Sequence, residues 1–135
     1  MPDRASTPPI AHPLGRTGSF GRDGVTVLER LGVWLSHRAV ARVLRGYERP
    51  RVLDLGCGYR CALLQAFAPQ LGPSTAVDLS VDSEIASRGE VTVLAMPIEQ
   101  AWRALPEAAH DVITMINVLE HLWDPQEALT QAFTR

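Results

Sequence analysis

The stretch Arg51-Val52-Leu53-Asp54-Leu55-Gly56-Cys57-Gly58 constrains this chain more than any other. Apolar residues packed this densely around one acid do not suit a half-exposed strand, whose outward positions would be polar. The pattern predicts a central strand and its turn over 51–58. Gly56 and Gly58 permit backbone angles, and a close ligand approach, that a Cβ would block. Cys61-Ala62-Leu63-Leu64-Gln65-Ala66-Phe67 follows with helical spacing. Strand, glycine turn and helix make the nucleotide-side corner of a doubly wound α/β fold.

Upstream, residues 1–24 hold proline, glycine, serine and charge without an apolar period, and read as a flexible arm ahead of a domain spanning 25–135. A helix is predicted over 26–46. Thr26 and Glu29 form a capping box, and Gly46 and Pro50 mark the exit. Its apolar stripe is Leu28, Leu31, Leu35, Ala39 and Val43, widened by Val40, Leu44 and Tyr47, and is expected to lie on the sheet. Trp34 and His37 read as packing and surface residues. Downstream, a helix over 60–68 stops at Pro69, and a strand is expected at 75–79. A short helix opens at Asp82, a strand follows at 91–94, and a short helix lies within 97–105 with Ile98, Trp102 and Leu105 on one side. A strand is expected at 111–116. Asp124 then caps a helix with Pro125 at its first position, still running at Arg135.

Two more segments sharpen the reading. Ala76-Val77-Asp78-Leu79-Ser80 ends a second strand in an acid, and Asp111-Val112-Ile113-Thr114-Met115-Ile116 runs towards Leu119-Glu120-His121-Leu122. With Leu53-Asp54-Leu55-Gly56-Cys57-Gly58 they resemble the class I S-adenosylmethionine-dependent methyltransferases, especially the small-molecule group with LDLGCG and LEHL motifs. The resemblance runs from about Arg51 to Pro125. It implies a Rossmann-like, doubly wound, mainly parallel sheet ordered three-two-one-four and truncated after strand four, where the family has seven strands. The chain is accordingly expected to be the cofactor-binding part of a longer protein, with the strand-four edge open to self-association.

The resemblance also implies S-adenosylmethionine as cofactor. Gly56, Cys57 and Gly58 would approach its amino-acid tail and ribose, with Asp54 accepting from the ammonium region. Asp78 would accept from the ribose hydroxyls, since a planar carboxylate matches a vicinal diol. Leu79, Met96 and Ile98 would hold the adenine, with Glu99 near its amino group, and Asn117 would lie by the methionine part. His121 is the catalytic candidate, because imidazole titrates near neutrality. Phe20 and Arg22 are candidates on the substrate side. Methyl transfer depends mainly on alignment and exclusion of water, so the absence of a triad does not count against this chemistry. Two departures stand out: Arg60 occupies the place of a third glycine, and His110-Asp111 replaces the usual Phe-Asp pair.

Other classes fit less well. With 13 basic and 15 acidic residues, the chain has no basic field for a nucleic-acid backbone. No apolar run approaches the roughly 20 residues of a membrane span. Cys57 and Cys61 suggest reduced thiols and a cytoplasmic setting, and their spacing supplies too few ligands for a metal. A nicotinamide-binding domain would need glycine at Cys61. A non-catalytic remnant of the same fold is the other alternative. The expected partner is a small-molecule methyl acceptor, not identifiable from the sequence.

Overall fold

A computed structural model describes residues 26–135; the predicted arm, with Phe20 and Arg22, lies outside the described residues. The sheet is built around β1 (Val52–Leu55), all four of whose residues are buried. It pairs in parallel with β2 (Ser74–Asp78) on one side and β4 (Val112–Thr114) on the other, and β3 (Val91–Ala95) extends β2, also in parallel. The order β3-β2-β1-β4 is the expected one, and the fold is a Rossmann-like α/β sheet.

Strand alternation divides the core. Val52 points to the side of Leu64 and Phe67 from α2 (Ala62–Phe67) and of Val40 and Leu44 from α1 (Val27–Leu44). Leu53 and Leu55 point to the other side. There they meet Ile98 and Ala101 of α4 (Ile98–Ala101), then Trp102 and Leu105, and Ala128 of α5 (Pro125–Ala132). A short α3 (Ser83–Arg88), capped by Asp82 and ended by Gly89 at φ 70°, joins β2 to β3.

Several boundaries differ from the expected ones. The capping box of α1 is present, with Glu29 N donating to Thr26 Oγ1 and Glu29 Oε2 accepting from Thr26 N. Its predicted stripe is largely uncovered: only Val40 and Leu44 are buried, while Leu28, Leu31 and Leu35 stay 79 %, 51 % and 55 % exposed. A single helix face reaches the sheet, and a wide apolar stripe exceeds what one face can bury. The helix after the glycine turn starts only at Ala62. Pro69 then sits at the start of a 3-10 turn (Ala68–Gln70), where its missing N–H costs no helical bond.

β4 is shorter than expected. Asp111 does not pair in it but receives the backbone amide, Nε and Nη2 of Arg51 at 2.8, 3.0 and 2.9 Å. Those bonds hold the Asp111 carboxyl down at about 2. Past Thr114 the chain leaves the sheet. α5 does not run to Arg135: it ends at Ala132, and the carbonyls of Thr134 and Arg135 accept from the amides of Ala108, Ala109 and His110. No helix among the described residues is long and apolar enough to cross a membrane.

Two glycines give opposite stability predictions. A Cβ on Gly72 would lie 2.5 Å from the carbonyl oxygen of Arg49, which is backbone and cannot turn aside. Gly32, within α1, has nothing within 4 Å of its Cβ position. Gly72→Ala is expected to cost about 1–3 kcal/mol. Gly32→Ala should add about 0.5–1 kcal/mol through helix propensity. Denaturant melts of the two variants check both signs, and a neutral Gly72→Ala would refute the close approach.

Candidate functional site

The parallel strands bring their carboxyl ends to one edge of the sheet, where the glycine turn folds back onto β2. Gly56 N and Cys57 N both donate to Val77 O, at 2.7 and 3.1 Å. Gly58 N donates to Asp78 Oδ2 at 2.8 Å, and Leu79 N donates to Asp78 Oδ1 at 2.7 Å. Cys61 N donates to Gly58 O at 3.1 Å. Gly56 and Gly58 take φ of 76° and 75°, which accounts for glycine at both. A Cβ on Gly56 would also collide with Cγ2 of Val118 in the segment after β4.

Asp54 stands in the middle of this edge, 2 % exposed. The register sets it beside Thr114, whose Oγ1 donates to Asp54 Oδ1 at 2.6 Å. Burial pushes its carboxyl up to about 6, against the Thr114 hydrogen bond and with some help from the charge of Asp78.

In front of these residues lies a cavity of about 570 Å³. That is the size of a small-molecule site, roughly 300–1,000 Å³. Its charge is one-sided. Five carboxylates line it (Glu29, Asp54, Asp78, Glu99 and Glu120), and among the described lining residues there is neither lysine nor arginine. Arg60, in the place of the third glycine, is exposed and does not reach the wall.

Of the residues singled out in the sequence, Asp54, Gly56, Cys57, Asp78 and Leu79 line this cavity, as do Met96, Ile98, Asn117 and His121. Glu99 lines it too. Gly58 does not: its amide is turned to Asp78, so it holds the wall without forming it. Asn117 adopts φ 53°, a left-handed conformation that asparagine tolerates better than most residues. His121 closes a 3-10 turn (Leu119–His121), with Nε2 3.9 Å from Glu120 Oε1.

Sequence reasoning missed the wall made by α1. Glu29, Gly32, Val33, Ser36 and His37 line the cavity. His37, read as a packing and surface residue, does both: its ring lies 5.7 Å from that of Phe67, and burial draws its imidazole below the ordinary value. The signal was available as a second helical stripe of polar and small residues at 29, 32, 36 and 37, beside the apolar one.

The chain is similar to known proteins over most of its length. A family model described as a methyltransferase domain matches residues 29–135. A ubiquinone biosynthesis O-methyltransferase of Alkalilimnicola ehrlichii is 32 % identical over 98 residues, which cover 67 % of this chain and 38 % of that protein. The matched stretch thus spans well under half the length of this curated relative.

Asp54 predicts a pH signature. Its folded value, about 6, lies above the ordinary 3.8, so the unfolded chain releases the proton first. Stability from this group is full below about pH 4 and declines as pH rises to about 6, a loss of roughly 2–4 kcal/mol by pH 7. Asp54→Asn keeps an acceptor for Thr114 without the charge. It should flatten that slope and raise the melting temperature at pH 7 by several degrees. Thermal melts between pH 4 and 7 decide it; a lower melting temperature for the variant at pH 7 would show that the buried charge is compensated.

Proposed function

The chain belongs to the class I S-adenosylmethionine-dependent methyltransferases, and from that membership we propose that its cavity binds S-adenosylmethionine and admits a small organic methyl acceptor. One observation carries the reading: among the described residues the cavity presents five carboxylates and neither lysine nor arginine, while the amides of Gly56, Cys57 and Gly58 are spent inside the protein. Such a wall suits a ligand rich in cationic centres and hydroxyl donors. It repels a pyrophosphate, which needs the free amides of a glycine loop. Both features weigh against the nicotinamide alternative.

The residues fit the cofactor part by part. Asp54 would face the ammonium end, and a positive charge there would favour its ionised form. The Asp78 carboxylate would take the ribose diol, since a planar acceptor matches two vicinal hydroxyls. Leu79, Met96 and Ile98 offer apolar surface for the adenine, with Glu99 beside it. When bound, the cofactor supplies an electrophilic methyl group on a sulfonium.

The remaining work falls to the protein. The cavity must align the acceptor and exclude water, and α1 with the segment after β4 supplies those walls. We infer an oxygen acceptor from the reaction in the relative's name. A hydroxyl must lose its proton during transfer, and His37 and His121 are the imidazoles on the cavity wall among the described residues. His121 is the catalytic candidate, and His37 is a second one on the same cavity.

Calorimetric titration of the chain with S-adenosylhomocysteine, at pH 7.5 and pH 5, tests the reading. Saturable binding is expected, weakening as pH falls below about 6 and Asp54 takes up its proton. Asp54→Asn should bind at least tenfold more weakly although it is the more stable protein, so unfolding cannot mimic the effect. A folded chain that ignores the ligand, or prefers a dinucleotide, would sink the proposal.

A further inference from the structure

Cys57 and Cys61 are both free and buried, with their sulfurs 3.4 Å apart. Cys57 lies on the cavity wall, and Cys61 lies behind it with no exposed surface. Cys61 also holds a left-handed backbone, φ 46°, at the start of α2 and gives that helix no side-chain cap. Neither capping nor helix geometry therefore explains a cysteine there. What the two side chains do share is each other.

We propose that Cys57 and Cys61 form a reversible disulfide under hydrogen peroxide, and that its closure weakens ligand binding by the adjoining turn. The second half rests on the cofactor reading above; the bridge itself does not. Peroxide reaches Cys57 through the cavity. The Cys57 sulfur attacks the peroxide O–O bond, forming a sulfenic acid, and the departing hydroxide leaves as water with the thiol proton. The Cys61 sulfur then displaces the sulfenic oxygen, the S–S bond forms, and a second water carries off the Cys61 proton. Two electrons pass from the two sulfurs to one peroxide.

The contact also sorts the roles. The hydrogen bond between the thiols, then burial and the nearby acids, push Cys57 up, whereas the same bond draws Cys61 down. Cys61 is thus the readier nucleophile for the resolving step.

Closure has to move the turn. A disulfide holds its sulfurs about 2.05 Å apart, so the pair must approach by roughly 1.3 Å. Cys57 N is bonded to Val77 O, its Sγ lies 3.4 Å from Gly58 O, and Gly58 N is bonded to Asp78. Drawing Cys57 towards α2 disturbs all three, and with them the wall around Asp78. Linkage makes the effect reciprocal: if the bridge weakens the ligand, bound ligand opposes the bridge.

The test uses the 135-residue chain with millimolar hydrogen peroxide, read by intact mass and by titration with S-adenosylhomocysteine. A loss of about 2 Da is expected, with at least a tenfold loss of affinity, both reversed by dithiothreitol. Saturating S-adenosylhomocysteine should slow the mass change. Cys61→Ala should instead stop at the sulfenic acid, a gain of about 16 Da captured by dimedone. Two thiols that still alkylate after peroxide, or a gain of about 32 Da without the loss, would overturn the bridge. A bridge that leaves affinity unchanged would overturn the switch. A folded, reduced chain that ignores S-adenosylhomocysteine would overturn the cofactor reading and the switch together, while the mass still decides the bridge.

Discussion

The carboxylate of Asp78 fixes the glycine turn to the end of the second strand, and the edge of the sheet is organised by that bond. One oxygen takes the amide of Gly58 and the other that of Leu79, while the carbonyl of Val77 takes the amides of Gly56 and Cys57. A short turn with positive φ at two glycines would otherwise be an entropic liability. Anchored so, it becomes a rigid shelf at the cavity. The same bonds consume the donors that glycine turns elsewhere offer to phosphates. An arrangement that stabilises the turn therefore also decides the charge of what can sit on it.

Asp54 completes this logic at a cost. Its register beside Thr114 gives it a single short hydrogen bond, and burial raises it to the point where ionisation near neutrality opposes folding. A hydrophobic residue would serve the core better. The carboxylate is useful only when something positive or hydrogen-bond-donating arrives in front of it. Function and stability are thus set against each other at one atom group, in the usual way of polar sites in apolar surroundings.

The sheet was legible in the sequence because buried parallel strands announce themselves. Val52 to Leu55 and Ala76 to Asp78 are apolar runs ending at acids and glycines, and their order followed from the family resemblance. The cavity residues at strand ends and in the glycine turn, such as Asp54, Gly56 and Asp78, were legible for the same reason. What escaped was tertiary. α1 looked like an ordinary amphipathic helix, and its apolar stripe drew attention away from Glu29, Gly32, Ser36 and His37, which face the cavity. The end of α5 was equally hidden, because no glycine stops it; backbone bonds from Ala108 to His110 receive the final residues instead. Gly58 gives its amide to Asp78, which only the direction of a hydrogen bond reveals.

The sparse anchoring of α1 has a thermodynamic consequence. Its two buried residues, Val40 and Leu44, lie towards its carboxyl end, while its first half contributes Glu29, Gly32 and Val33 to the cavity. Among the described residues that half fully buries no apolar side chain, so a molecule in the cavity would become part of what holds the helix in place. Affinity measured for such a molecule contains a share of helix formation. The heat-capacity change on binding would then exceed what the ligand's own apolar surface accounts for, because the helix buries surface in the same event.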